Sequence, residues 1–219
     1  MAIAFFDLDK TLIAENSAKL WLMRQWQTKQ ISVFNMIKAS FWLTKYSLGF
    51  SNLEEMMDKS LYLIKGYCHK NIVSQTHEFY HQSIKHLYRP QALRAIDEHR
   101  KKGDVIALLT SGFDELTMLV QKDLNIDYRL CSNLEIDKEG YYTGKSIGPL
   151  CFGKNKILYA QNLCQNLKTS LDNCVFYTDS ASDLPMLCAV GKAVVVNPDP
   201  RLRQIAKNKK WPIVDWGRP

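Results

Sequence analysis

Four short apolar runs, each closed by a polar cluster, constrain this chain more than any other feature of its sequence. Ala2 to Phe6 ends at Asp7, and Val105 to Leu109 ends in Thr110-Ser111-Gly112. Cys174 to Tyr177 ends in Thr178-Asp179-Ser180, and Ala193 to Val196 ends in Asn197-Pro198. Runs this short and unbroken suit strands buried on both faces, as in a parallel sheet. Helical patterns separate them: Gln91 to Lys102, Glu115 to Leu124, Lys156 to Leu167 and Leu184 to Val190. The alternation predicts an α/β fold with a doubly wound, Rossmann-like parallel sheet. Such sheets bind ligands beyond the carboxyl ends of their strands, where Asp7, Thr110 and Asp179 stand.

About a hundred residues separate the first two strands, too many for a simple crossover. From Ala18 to about Leu87 the pattern is mostly helical. The expectation is an inserted helical cap over residues 15–88, with 1–14 and 89–219 forming the core. Within the cap, Ile31 to Leu53 is rich in Phe, Trp and Leu, but Lys38 and Lys45 interrupt it. No apolar run reaches the roughly 18 residues that a membrane span needs. An interfacial helix would suit those residues, and a helix pair inside the cap is the plainer account. Asp137-Lys138-Glu139-Gly140 marks the turn of a hairpin within Asn133 to Ile147.

The chain has 219 residues, 46% hydrophobic and 23% charged, which suits one core plus a smaller inserted unit. A net charge of +7 favours anionic partners. The basic cluster from Arg201 to Lys210 reads as the solvated face of a helix. No aromatic residues interleave with it as in a single-strand binding groove, so no nucleic acid partner is expected. None of the six cysteines forms a Cys-x-x-Cys pair, which argues against a zinc ribbon or a thioredoxin-like site. The opening MAIAFFDLDKTL lacks the pattern of a signal peptide, and the expectation is a cytoplasmic protein with reduced thiols.

Four motifs carry chemistry. In Asp7-Leu8-Asp9-Lys10-Thr11, two carboxylates two residues apart can divide nucleophilic attack from acid–base work. Thr110-Ser111-Gly112 offers a hydroxyl and backbone N–H groups at a strand-to-helix turn, an anion site. Lys156, with Lys154 as competitor, can neutralise phosphate charge from a helix start. Asp179 and Asp183 are spaced to serve a hard cation such as Mg²⁺, although Asp183 could instead cap the following helix.

In this order the segments FDLDKTL, LLTSGFD, GKNKI and YTDSASDLPML resemble the haloacid dehalogenase (HAD) superfamily. The branch they resemble is the phosphoserine phosphatase-like subfamily IB, which VVVNPDPRLRQIAKNKKWPIVDW also resembles. The resemblance implies a Mg²⁺-dependent phosphatase acting on a small phosphorylated metabolite. It makes Asp7 the nucleophile and Asp9 the general acid/base. Thr110, Ser111, Gly112 and Lys156 would bind the phosphoryl group. Mg²⁺ would be held by Asp7, by the Asp9 backbone carbonyl and by Asp179, with Asp183 in support. Two positions depart from the pattern. Thr178 stands where a glycine is common, and Asn16, beside Glu15, stands where phosphoserine phosphatases place a glutamate. The second departure weakens the case for phosphoserine and leaves histidinol phosphate or phosphoethanolamine equally open.

Other readings compete. His77-Glu78-Phe79-Tyr80-His81 matches the zinc-protease pattern H-E-x-x-H, but its flanks are polar and no third ligand is evident, though His86 and His99 exist. An EF-hand fails at Leu12, where glycine is required. A phosphomutase would use the same aspartyl phosphate. A non-catalytic binding protein could present Trp21, Trp26, Phe34, Phe41 and Trp42 from the cap, residues that otherwise read as cap core or substrate lid.

Overall fold

The structure, a computed structural model, describes residues 2–29, 61 and 64–219. Six parallel strands form the central sheet: β1 (Ile3–Phe6), β2 (Val105–Phe113), β3 (Tyr128–Ser132), β6 (Val175–Thr178), β7 (Lys192–Val196) and β8 (Ile213–Val214). Their spatial order is β3-β2-β1-β6-β7-β8. Between them run α3 (Pro90–Lys101), α4 (Asp114–Leu124), α5 (Asn155–Asn166), α6 (Leu184–Ala189) and α7 (Pro200–Lys209), while α1 (Ser17–Gln27) and α2 (His69–Phe79) belong to the long insertion. This is the doubly wound α/β architecture that the sequence pattern predicts.

Alternation along the strands explains both faces of the sheet. Ala4, Phe6, Ile106, Leu108, Tyr177 and Val196 pack with Ile96 and Val120 on one side. Ile3, Phe5, Ala107, Leu109, Phe176 and Val195 pack with Ala160, Leu187 and Leu202 on the other. The sheet is thus apolar on both faces, which is why the strands read as unbroken apolar runs. The chain winds outward in both directions from β1 and β6, and a crevice opens at such a reversal. Asp7, Thr110 and Asp179 stand at or near the ends of neighbouring strands there.

The strand and helix boundaries differ from expectation by one or two residues, with one larger exception. Strand β2 continues past Leu109 to Phe113 through an irregular register with β3. Strands β3 and β8 are not announced by any apolar run in the sequence. The hairpin is present as β4 (Leu134–Ile136) and β5 (Tyr142–Ser146), an antiparallel pair. It also meets the insertion: Tyr142 N–H donates to Tyr67 O at 3.0 Å and Gly66 N–H to Tyr142 O at 2.8 Å. Leu61, Leu134, Tyr142 and Leu150 form a small cluster at that junction.

The insertion leaves and re-enters the core along paired segments. Ile13 bridges Tyr88, Ala14 N–H donates to Leu87 O at 2.9 Å, and Arg89 N–H donates to Leu12 O at 2.9 Å. The aromatic stretch from Ile31 to Leu53, with Phe34, Phe41 and Trp42, lies outside the described residues. Trp21 packs edge-on against Phe79 at 5.1 Å, whereas Trp26 is exposed. Among the described residues no helix is long and apolar enough to cross a membrane. On α7, Leu202 and Ala206 face inward and the arginines and lysines face solvent, as the sequence pattern predicts.

Candidate active site

Asp7 follows β1 directly, and its N–H donates to Tyr177 O on β6 at 3.0 Å. A wide turn, Leu8–Leu12, comes next, closed by Ile13 N–H donating to Leu8 O at 3.0 Å. Lys10 takes a left-handed φ of 54° in this turn while its side chain stays exposed. The turn buries Leu8, Thr11 and Leu12 and leaves Asp9 half-buried at the mouth.

Lys156 comes from the first turn of α5 and is only 2% exposed. Its ammonium donates to Asp7 Oδ1 at 2.9 Å and to Asp183 Oδ2 at 2.8 Å. Its sequence competitor, Lys154, is exposed. Asp183 Oδ2 also accepts from the Thr178 hydroxyl at 2.7 Å, while Asp183 Oδ1 is buried without a partner. Asp183 occupies the cap position of α6 but makes no side-chain capping bond, so its carboxylate serves Lys156 and not the helix. Thr178, the departure from glycine, thus has a definite role, since it fixes the carboxylate that fixes Lys156.

Thr110 is buried at 1% exposure, and its hydroxyl oxygen accepts from Gly112 N–H at 3.2 Å. That bond uses the oxygen and leaves the hydroxyl hydrogen free to donate to an anion. Ser111 and Gly112 are half-buried beside it. Asp179 is 7% exposed, and its carbonyl accepts from Asp199 N–H at 3.0 Å.

The electrostatics follow from burial. Desolvation pushes the Asp7 carboxyl up to about 7, with the Lys156 charge pulling against it. Asp179 is driven well above the carboxylate range, first by burial and then by the Asp7 charge. Burial also raises Asp9, opposed by the hydroxyl and N–H of Ser17. Burial alone would lower the Lys156 ammonium, but Asp183 and Asp7 outweigh it and hold the group charged.

Two carboxylates, Asp7 and Asp183, therefore share one buried ammonium, and their charges also bear on buried Asp179. Charge is missing, and Asp183 Oδ1 is an orphaned buried acceptor. An oxygen-ligated divalent cation fits both facts, because it neutralises Asp7 and Asp179 and brings water for Asp183. Among the described residues no three His, Cys, Asp or Glu side chains converge as a metal cage. The donor set would then be two carboxylates and a backbone carbonyl.

Three residues at the site are not marked by the motifs. Asp199 uses both carboxylate oxygens: Oδ1 accepts Leu202 N–H at 2.7 Å, capping α7, and Oδ2 accepts Ala181 N–H at 2.9 Å. It clamps the Asp179 loop to α7, and the Asp199-Pro200 pair is a legible helix start. Arg89 is buried, and its Nη2 reaches Lys10 O at 3.4 Å, bracing the turn that follows β1. Ser17 N–H donates to Asp9 Oδ1 at 2.9 Å. No sequence signal marks the last two.

His77 and His81 share a face with ring centres 4.6 Å apart, both exposed. Glu78 is paired with Arg24 at 2.8 Å, so the zinc-protease reading lacks both a free base and, among the described residues, a third ligand.

The sequence matches the haloacid dehalogenase-like hydrolases over residues 4–188. It is 29% identical to a phosphoserine phosphatase of Mycobacterium tuberculosis, over 98% of this chain and 71% of that one. It is 27% identical to a histidinol-phosphatase of Neisseria meningitidis, over 98% of each chain. A solved structure from Bordetella pertussis, of a protein with unknown function, superposes with a TM-score of 0.88 at 24% identity, covering 99% of both chains. The chain belongs to the haloacid dehalogenase-like hydrolase family and is an enzyme of its phosphatase branch.

Proposed function

We propose that this phosphatase hydrolyses phosphomonoesters of small primary alcohols through an aspartyl phosphate on Asp7, with Asp9 as general acid and base. The observation that carries the reading is the Asp7–Lys156–Asp183 cluster, buried at the ends of adjacent strands beside Thr110 and Asp179. The two relatives named for their substrates act on phosphoserine and histidinol phosphate. Both are phosphate esters of primary alcohols with an amine on the neighbouring carbon, which is the substrate class assigned here. Phosphoethanolamine shares that chemistry.

Asp7 attacks phosphorus with a carboxylate oxygen while the P–O bond to the alcohol breaks. Asp9 gives its proton to the departing oxygen, so the alcohol leaves neutral. Asp9 then takes a proton from the water that attacks the phosphoryl group, and the bond between the Asp7 oxygen and phosphorus breaks to release inorganic phosphate. Lys156 and the Thr110 hydroxyl, with the Ser111 N–H and the turn that Gly112 closes, bind the phosphoryl oxygens and steady the charge that spreads over them. Asp7, the Asp9 carbonyl and Asp179 would hold Mg²⁺, with Asp183 in support. When bound, the ion supplies the positive charge that lets an anionic carboxylate approach an anionic ester. Six free thiols suit a cytoplasmic setting.

The test is phosphate release from phosphoserine, histidinol phosphate, phosphoethanolamine, sugar phosphates, nucleotides and an aryl phosphate. Each is assayed with Mg²⁺ and with EDTA, for the wild type and for Asp7→Asn. Release is expected with Mg²⁺, highest for the amino-alcohol esters, and absent in Asp7→Asn. No release from any ester sinks the reading.

A further inference from the structure

The carboxylate of Asp9 is held from an unexpected direction. Its short hydrogen bond, 2.9 Å to Oδ1, comes from Ser17 N–H, the first residue of α1. A longer contact, 3.4 Å to Oδ2, comes from Asn16 Nδ2. Asn16 is itself fixed, because its Oδ1 caps α1 by accepting Lys19 N–H at 2.9 Å. Both donors thus stand where the insertion begins. The connecting turn is anchored in between: Lys10 N–H donates to Glu15 O at 3.2 Å, and Ala14 N–H to Leu87 O at 2.9 Å.

We propose that Asn16 and Ser17 are positioning residues for Asp9: the amino end of the insertion's first helix aims the acid that protonates the leaving oxygen. The proposal rests on the phosphatase reading of Asp9. A carboxylate at a helix start is oriented by free N–H groups and by the positive end of the helix dipole. The short bond engages Oδ1, while Oδ2 has only the longer contact from Asn16. Acid delivery is thereby tied to the position of α1. Asn16 spends its side-chain amide on the helix cap and on Asp9.

Ser17→Pro deletes the N–H with little disturbance to the backbone. Proline is favoured at the first helical position. Asn16 already has φ −90° and ψ 116°, the extended conformation that a following proline requires. Two Mg²⁺-supported substrates separate acid delivery from general damage. Phosphoethanolamine releases a strongly basic alkoxide that needs a proton, whereas 4-nitrophenyl phosphate releases a weakly basic aryloxide that does not. The readout is kcat/KM, which covers events up to release of the alcohol.

Ser17→Pro is expected to lower kcat/KM for phosphoethanolamine about tenfold or more and for the aryl ester less than about threefold. Ser17→Ala keeps the N–H and loses less than Ser17→Pro. Asn16→Ser keeps a capping oxygen but lacks the amide donor, and it shows the same selective loss in smaller measure. Equal losses on both esters, with an unchanged circular dichroism spectrum, overturn the proposal in favour of a purely structural role. Unchanged values on both esters overturn it as well. If Ser17→Pro does not fold, the alkyl-to-aryl ratio of Asn16→Ser decides. A wild type that hydrolyses neither ester fails the phosphatase reading and this inference with it. An active wild type with unselective variants fails this inference alone.

Discussion

At Gly191 a single hydrogen atom is what the structure can accommodate. A Cβ there would lie 1.8 Å from the Asp172 carbonyl oxygen, a backbone atom that cannot rotate away. Gly191→Ala is therefore expected to cost at least about 2 kcal/mol in urea unfolding, at the upper side of overpacking effects. Asp199 makes a different kind of contribution. Asp199→Ala removes the cap of α7, worth about 1 kcal/mol, and also frees the Asp179 loop. It should weaken Mg²⁺ binding in isothermal titration, whereas an uncapped but otherwise neutral helix would leave that affinity alone. The site is legible at this scale where motif spacing exposes it: Asp7, Asp9, Thr110, Lys156, Asp179 and Asp183. Arg89 and Ser17 are not legible, because one acts through a guanidinium reaching a distant carbonyl and the other through a backbone N–H.

Among the elements, the return from the insertion is stapled to α4 by side chains. The Tyr80 hydroxyl donates to Asp123 Oδ2 at 2.7 Å, Lys85 Nζ to Asp123 Oδ1 at 2.7 Å, and Tyr80 and Tyr88 share a bond at 2.9 Å. Burial works to raise the Asp123 carboxyl, but the Lys85 and Tyr80 donors prevail and hold it below its ordinary value. A depressed folded-state pKa adds stability that is present above the unfolded value of about 3.9 and is lost as pH falls through the folded value. Solvent screens the Lys85 pair, so most of the effect rests on the Tyr80 bond. Asp123→Asn should therefore lower stability in urea unfolding by about 1 kcal/mol at pH 7 and by nothing well below pH 3. Strands β1, β2, β6 and β7 are readable because both their faces are buried. Strand β3 is not, because Tyr128, Arg129 and Leu130 on the sheet edge are exposed or half-buried, so no apolar run forms. Strand β8 is two residues long, and its pairing depends on β7 rather than on its own pattern.

The whole molecule carries a charge imbalance that folding alone does not relieve. Buried Asp179 faces Asp7 without enough positive charge, so the metal-free protein is destabilised at its own site. Asp179→Asn should accordingly raise the thermal midpoint in EDTA. In the wild type, Mg²⁺ at 100 times its dissociation constant should add about 2.7 kcal/mol, and Asp179→Asn should abolish that gain. A higher midpoint without metal, together with loss of the metal response, would mark a site in which stability is sacrificed for function. The assignment of Asp7 as nucleophile has a more direct test. The wild type is mixed with phosphoethanolamine and Mg²⁺ and quenched in acid within one turnover. Borohydride then reduces an acyl phosphate to the alcohol, and peptides are sequenced by mass spectrometry. Homoserine is expected at position 7 and nowhere else, and unmodified peptide when substrate is omitted. Phosphate release with Asp7 left intact, or homoserine at Asp9 or Asp179, would contradict the assignment.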